Sequence, residues 1–431
     1  MHGPRRAIVS PAFPSLVLLP LLSLLSAGTA WAGPCDGVPL VSTCVNADTL
    51  WPHAGASSFL GFGGTDIVSP GHIGFGLVTT YQSRPIVFHI PSPGPDGSDQ
   101  AVIDDQVNGN FLWAIGVTRR LELDLVVPVT FGQGGTGIRP ITGSTTPLRD
   151  TAMRDVRFGV AYALVPKALT TPFGARGNVW ALTGRIEISA PTGDKEQFAS
   201  ERGVVFVPSV AADYRRGRWF AGAEVGARVR PVAELVGARV GTQVSVGVGI
   251  GYDILRRDLL SAALEARALP TLASQRTSTS TDVGLVSTAN DRVLVPSEWT
   301  LSARTAPLLG GDLGVQLGGG GAIPFGGDAA VTAPRFRFTL SVRYAPVVKD
   351  TDGDGVLDAE DRCPRERGPR PSGCPPPPET PDAPSAPAAS APAPVTSSKP
   401  SLVNAAHVCK DEPRDVGIRL AASRSDGASV F

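Results

Sequence analysis

Asp350, Asp352, Asp354, Asp358 and Asp361 occupy positions 1, 3, 5, 9 and 12 of one short segment, with Gly355 at position 6. Oxygen ligands at that spacing suit Ca2+, a hard cation that takes about six to eight of them. Asp350, Asp352 and Asp354 would converge on the ion, and Gly355 would permit the sharp turn. The carbonyl of Val356 would serve at position 7, Asp358 would act through a water, and Asp361 would close the far side. Magnesium suits the set less well, because it keeps its waters and demands a smaller octahedron. No helical pattern flanks the loop, so it is not an ordinary EF-hand. The competing reading is an acidic, solvated linker.

The long run before this loop carries the second set of chemically capable residues. Leu121, Leu123, Leu125, Val127, Val129 and Phe131 alternate with Glu122, Asp124 and Thr130. Successive side chains of a strand point to opposite faces. A face that is apolar outside and charged inside, repeated around a closed sheet, describes a transmembrane barrel. The expected fold is all-β: an antiparallel barrel of about 12 strands over 71–347, then a small calcium loop and a disordered Pro-rich tail. The strands are expected at 71–82, 109–118, 121–131, 154–165, 178–189, 203–214, 218–230, 239–253, 258–269, 296–307, 312–321 and 334–346. A soluble β-sandwich also alternates, but its exposed face would carry many Lys, Glu and Asp. Here the second face is Gly, Ala, Ser and Thr with scattered charge.

By the same parity the inward positions include Glu122, Asp124, Arg157, Arg185, Glu187, Asp213, Glu224, Arg228, Glu265, Arg267, Arg304, Arg335, Arg337 and Arg343. Facing a polar lumen spares these charges the bilayer cost. Two arrangements fit. The charges pair across strands and close the lumen, or they line a wet pore with a mild preference for anions.

Short connections at 119–120, 215–217, 256–258 and 310–312 alternate with longer ones at 91–108, 132–152, 191–202 and 271–295. Outer-membrane barrels have short periplasmic turns and long external loops. An even strand count then returns both ends to the periplasm of a Gram-negative bacterium. Residues 33–70 would form a periplasmic segment or a plug in the lumen.

Arg5 and Arg6, the apolar stretch Leu16 to Ala27, and Ala30-Trp31-Ala32 read as a signal peptide over 1–32. No later segment offers about 18 uninterrupted apolar residues, as a membrane helix requires. Lys and Arg (39) balance Asp and Glu (39), so no nucleic-acid partner is expected. Among five cysteines, Cys35–Cys44 and Cys363–Cys374 are expected to form local disulfides in an oxidising compartment, leaving Cys409 over. Of the histidines His2, His53, His72, His89 and His407, none lies in a nucleophile motif. No catalysis is expected. A lone His in such a chain reads as a turn or interface residue.

The pattern Asp-x-Asp-x-Asp-Gly-x-x-Asp-x-x-Asp-x-Cys-Pro resembles one thrombospondin type 3 repeat, covering 348–374. That resemblance implies calcium binding and brings cell adhesion into view. Residues 375–400 are a Pro/Ala-rich linker, suited to an extended spacer. Signal, barrel, calcium repeat and spacer in this order resemble the OmpA-like outer-membrane proteins. A peptidoglycan-binding domain would normally follow. Residues 401–431 are too few for one and read as a remnant, so peptidoglycan is not an expected partner. The first expectation for function is a barrel in outer-membrane lipid with a calcium-stabilised periplasmic stalk and an envelope-organising role. A porin or transporter for small or apolar solutes is the alternative, and a calcium-dependent adhesin the third.

Overall fold

The computed structural model describes residues 36–38, 41–90, 98–139, 147–167, 179–235, 238–255, 259–281, 284–290, 293–308, 312–324, 333–346, 348–352, 354–358 and 360–376. All of them belong to one unit that ends at Pro376. The expected signal peptide, Cys35, Cys409, nearly all of the linker and the tail lie outside the described residues.

Alternating apolar residues build twelve wall strands. They are β1 (Ile73–Ile90), β2 (Ser98–Gly116), β3 (Leu121–Gly134), β4 (Arg157–Val165), β5 (Val179–Ser189) and β6 (Val205–Arg216). The series continues with β7 (Trp219–Arg228), β8 (Gln243–Leu255), β9 (Leu260–Ala268), β10 (Ser297–Leu308), β11 (Leu313–Ala322) and β12 (Phe336–Tyr344). Each pairs antiparallel with the next, and β12 closes on β1 from Phe336↔Ser83 to Tyr344↔Phe75. Closure gives each wall strand a partner on both sides over its ladder length, so the ladder backbone groups are paired without water.

The outward face is apolar and bare. Phe75, Trp180, Trp219, Val225, Leu301 and Leu264 each expose half or more of their surface. A soluble monomer does not display such a continuous patch. Aromatic rings gather where strands meet the short turns: Phe75 opposite Trp113, Trp180 opposite Tyr214, and Trp219 opposite Tyr252. Phe206, Trp299 and Phe336 stand at the other end. Two such belts mark the headgroup levels of a bilayer.

Three departures from the expected strands have local causes. The first hairpin is longer, because Ser83 to Ile86 hold a bulge with Arg84 at φ 49° and Pro85 beside it. The bulge resets the alternation, and pairing resumes at Ile86↔Ile103. Strand β4 begins at Arg157 rather than at 154. Opposite it, Pro128 of β3 has no N–H to offer that side. The wall opens there, and the Arg154 N–H reaches the Pro128 carbonyl at 3.1 Å. The connection expected over 271–295 contains its own hairpin, Gln275–Thr281 with Gly284–Asn290.

The chain ahead of β1 does not stay on one side. Val41 pairs with Leu235 of the small hairpin Ala233–Leu235/Ala238–Val240, between β7 and β8. Val41, Val45 and Ala47 share a buried cluster with Ile86, Ile103, Phe198 and Val240 at the mouth of the long connections. From there the chain crosses the lumen. It leaves at the opposite mouth, where the Ser69 N–H donates to the Pro346 carbonyl at 2.7 Å and Pro70 bridges to Gly116. Among the described residues, the segment at 41–47 and the loop after β12 lie at opposite mouths. Twelve strands bring the chain back to one mouth, but the lumen crossing adds an odd passage.

Candidate functional site

Strand parity aims Glu122, Asp124, Arg157, Arg185, Glu187, Glu224, Arg228, Glu265, Arg337 and Arg343 into the barrel, and all are buried. Asp213, Arg267 and Arg304 are half-buried on the same face. Arg335 is the exception. It precedes the first residue of β12 and is exposed. Beyond the end of a strand, the pleat no longer dictates which way a side chain points.

Residues 46–69 run through the lumen as a plug, among the inward side chains of the wall. Near the mouth of the long connections, five arginines grip the plug's acceptors. Asp48 takes Arg337 Nη1 at 2.7 Å and Arg154 Nη1 at 3.1 Å. The Thr49 carbonyl accepts from Arg267 at 2.9 Å and Arg228 at 3.1 Å. The Pro52 carbonyl accepts from Arg157 at 3.1 Å. The Trp51 ring lies under two guanidiniums, Arg157 at 4.3 Å and Arg228 at 5.1 Å from the ring centroid. Cation–π contacts strengthen where water is excluded. Trp51 Nε1 also donates to Glu187.

Further along, the wall's carboxylates take the plug's donors. His53 sits between Glu187 (Nδ1, 3.1 Å) and Glu224 (Nε2, 3.3 Å). Glu265 accepts the N–H groups of Leu60 (2.8 Å) and Gly61 (2.7 Å). Glu224 accepts from Gly63 at 2.8 Å, Asp213 from Thr65 at 3.1 Å, and Glu122 from Val68 at 2.7 Å. Each hydrogen bond to a charged partner contributes about 1.5–3 kcal/mol, so the plug is held by many such contacts.

The wall is also hollowed to receive it. A Cβ at Gly249 would come within 2.5 Å of the Phe59 ring, and one at Gly318 within 2.6 Å of Leu60. Gly249→Ala is expected to loosen the plug by about 1–3 kcal/mol through overpacking while leaving the strand pairs intact. Faster amide exchange at 57–63 in an otherwise protected barrel would show it; unchanged exchange would count against a tight seat.

Sequence reasoning missed Asp48, Trp51, Arg154 and Glu298. Glu298 was within reach, since it shares the parity of Arg304 on β10. It binds Arg337 (2.9 Å) and Arg267 (2.8 Å). Arg154 was not, because parity with Val156 aims it outward, and only the break opposite Pro128 turns it in. Asp48, Trp51 and His53 belong to an aperiodic segment that carries no signal of what it touches. His53, read as a turn or interface residue, bridges two wall strands from inside.

The carboxylates of Asp350, Asp352 and Asp354 draw together, with ligand oxygens within 4.8 Å of one another. Val356 is buried beside them. Asp358 turns to Thr351, accepting from its N–H and hydroxyl at 2.6 Å each. Asp361 accepts the Cys363 N–H at 2.7 Å. One oxygen each of Asp352 and Asp361 is buried without a partner, an arrangement that fits a cation. Burial, then the carboxylates of Asp354, Asp361 and Asp350, push the Asp352 carboxyl up. The N–H groups of Val356 and Gly368 hold Asp354 down. Cys363 and Cys374 form a disulfide. Cys44 is disulfide-bonded as well, its expected partner Cys35 lying outside the described residues. The loop docks on the barrel through Lys349–Asp312 (2.7 Å) and Arg119–Glu360 (3.0 Å).

Two spaces along the plug measure about 10 and 20 Å3, room for one or two waters. Fold and lumen together define a plugged transmembrane β-barrel. No family model matches the sequence, and no curated protein matches it. Among solved structures it is similar to an outer membrane channel from Pseudomonas putida F1, at 13% identity and TM-score 0.42, over 66% of this chain and 98% of that one. It is similar to the NanC porin at 9% identity and TM-score 0.37, over 63% and 98%. The outer membrane phospholipase A from Escherichia coli gives 10% identity and TM-score 0.27, over 65% and 94%. Likenesses this distant carry nothing about solute or activity.

Proposed function

We propose that this protein is a solute channel of the Gram-negative outer membrane, held shut by its own N-terminal segment. The observation that supports this most is where the lumen charges find their partners. Glu122, Asp213, Glu224 and Glu265 take theirs from the plug's backbone, and Arg154, Arg157 and Arg228 grip its acceptors. A barrel meant to stay closed would bridge such charges strand to strand. A charged wall neutralised by a threaded segment is a wet, polar pore once that segment moves. Small hydrophilic solutes suit it better than apolar ones. Liposomes carrying the full chain are expected to swell slowly in small sugars or amino acids. Protein loosened by Gly249→Ala is expected to swell them faster. Equal, protein-independent swelling in both would reject the channel.

The loop at 348–374 we assign as a calcium site braced by its disulfide, at the mouth of the short turns. That mouth faces the periplasm in this reading, which suits a stiffened stalk better than an adhesive outer surface. The resemblance to a thrombospondin type 3 repeat and the unpartnered oxygens of Asp352 and Asp361 support it. Asp350, Asp352 and Asp354 would hold the ion. Trypsin should cut after Arg362, Arg365 or Arg367 of the full chain about tenfold more slowly in calcium than in chelator. Asp352→Asn should abolish the difference. Identical digestion with and without calcium would dismiss the site.

A further inference from the structure

We infer that the arginine cluster near the mouth of the long connections is a binding site for a small carboxylate solute, which the plug's Asp48 to Pro52 occupy as a tethered stand-in. The inference rests on the channel reading and names the solute class of that lumen.

Arg154, Arg157, Arg228 and Arg337 are all under 10% exposed, and Arg267 joins them through Glu298 and Thr49. Nearby, the wall supplies Glu187 and Glu298, with Asp124 and Glu224 also facing the cluster. Two arginines already hold Glu298. The acceptors that Arg154, Arg157 and Arg228 hydrogen-bond come from the plug. It offers one carboxylate, Asp48, fixed by Arg337 at 2.7 Å, Arg154 at 3.1 Å and Asn108 at 3.1 Å. It adds the carbonyls of Asp48, Thr49 and Pro52, and the π-face of Trp51. This is how planar guanidiniums recognise a carboxylate. The set is not saturated: Arg157 Nη1 and Arg154 Nε are buried without a partner. When the plug withdraws, buried positive charge is left with too few acceptors. That is costly, unless an anion replaces Asp48. Solute and plug therefore compete for the same donors. A solute that binds only the released state must shift the barrel toward it.

The test uses the full chain in planar bilayers under a potassium chloride gradient, with succinate as the probe. Asp48→Asn removes the stand-in's charge at constant shape. It is expected to raise the open fraction about tenfold and to give currents carried mainly by chloride. Millimolar succinate should block those currents, and adding Arg157→Gln should weaken the block about tenfold. In the unmodified chain, succinate should also speed amide exchange across 48–65, where glucose does not. Open channels that prefer potassium, or that ignore succinate, would overturn the inference and leave the channel standing. A folded Asp48→Asn protein that stays silent, with no exchange response to succinate in the unmodified chain, would overturn both. If Asp48→Asn does not fold, the exchange measurement decides alone.

Discussion

Removing residues 35–66 is expected to turn a nearly silent barrel into a conducting one, with currents rising on the order of tenfold or more as the lumen of a twelve-stranded barrel empties. The deletion takes out Cys35 and Cys44 together, so neither cysteine is left behind alone. It also takes out nearly everything the wall charges bind inside. The strand pairs survive, because every wall ladder, including the closing pair of β12 with β1, is made without the plug. Asp213, Glu224 and Glu265 lose backbone partners but gain water, which solvates them as well. The barrel should therefore still show a heat-modifiable shift on gels. Single-channel recording of full-length and shortened protein is the measurement. A shortened barrel that folds and does not conduct would mean the wall closes by itself, and would restore the purely structural role.

Arg337→Met should have the largest effect of any single wall substitution. Arg337 is 2% exposed and joins Asp48 of the plug to Glu298 of the wall. Removing it strands two buried carboxylates with one arginine fewer between them, which costs about 3–5 kcal/mol. The barrel ladders do not depend on that contact, so the cost should fall on the seating of the plug. Amide exchange at 46–53 should quicken and current should rise, while the heat-modifiable barrel persists. Arg335→Met is the control. It shares the parity of Arg337 on paper but is exposed, so its effect should stay within about 0.5 kcal/mol. Equal effects at 335 and 337 would mean the arginine network does not hold the plug.

Much of this protein is decided residue by residue. Leu121 to Phe131 shows why: in a strand the pleat alone assigns each side chain a face, so apolar alternation specifies strand, membrane face and lumen face together. The twelve strands, the inward Glu122, Glu187, Arg228 and Arg337, and the spacing of Asp350, Asp352 and Asp354 were all legible that way. Alternation stops being informative where the pleat is broken or absent. The bulge after Ser83 hid the upper half of the first hairpin, the break opposite Pro128 turned Arg154 inward, and the end of β12 left Arg335 outside. What only the tertiary structure decided is the content of the lumen. Residues 46–69 have no period and few charges. Their place follows from closure of the barrel, which surrounds them with groups more than one hundred residues away in sequence, such as Glu187, Glu224 and Glu265. Sequence alone therefore made a charged inner wall, and three-dimensional closure decided that the chain's own Asp48, Trp51 and His53 would fill it, because buried charges must find partners and the plug is what lies within reach.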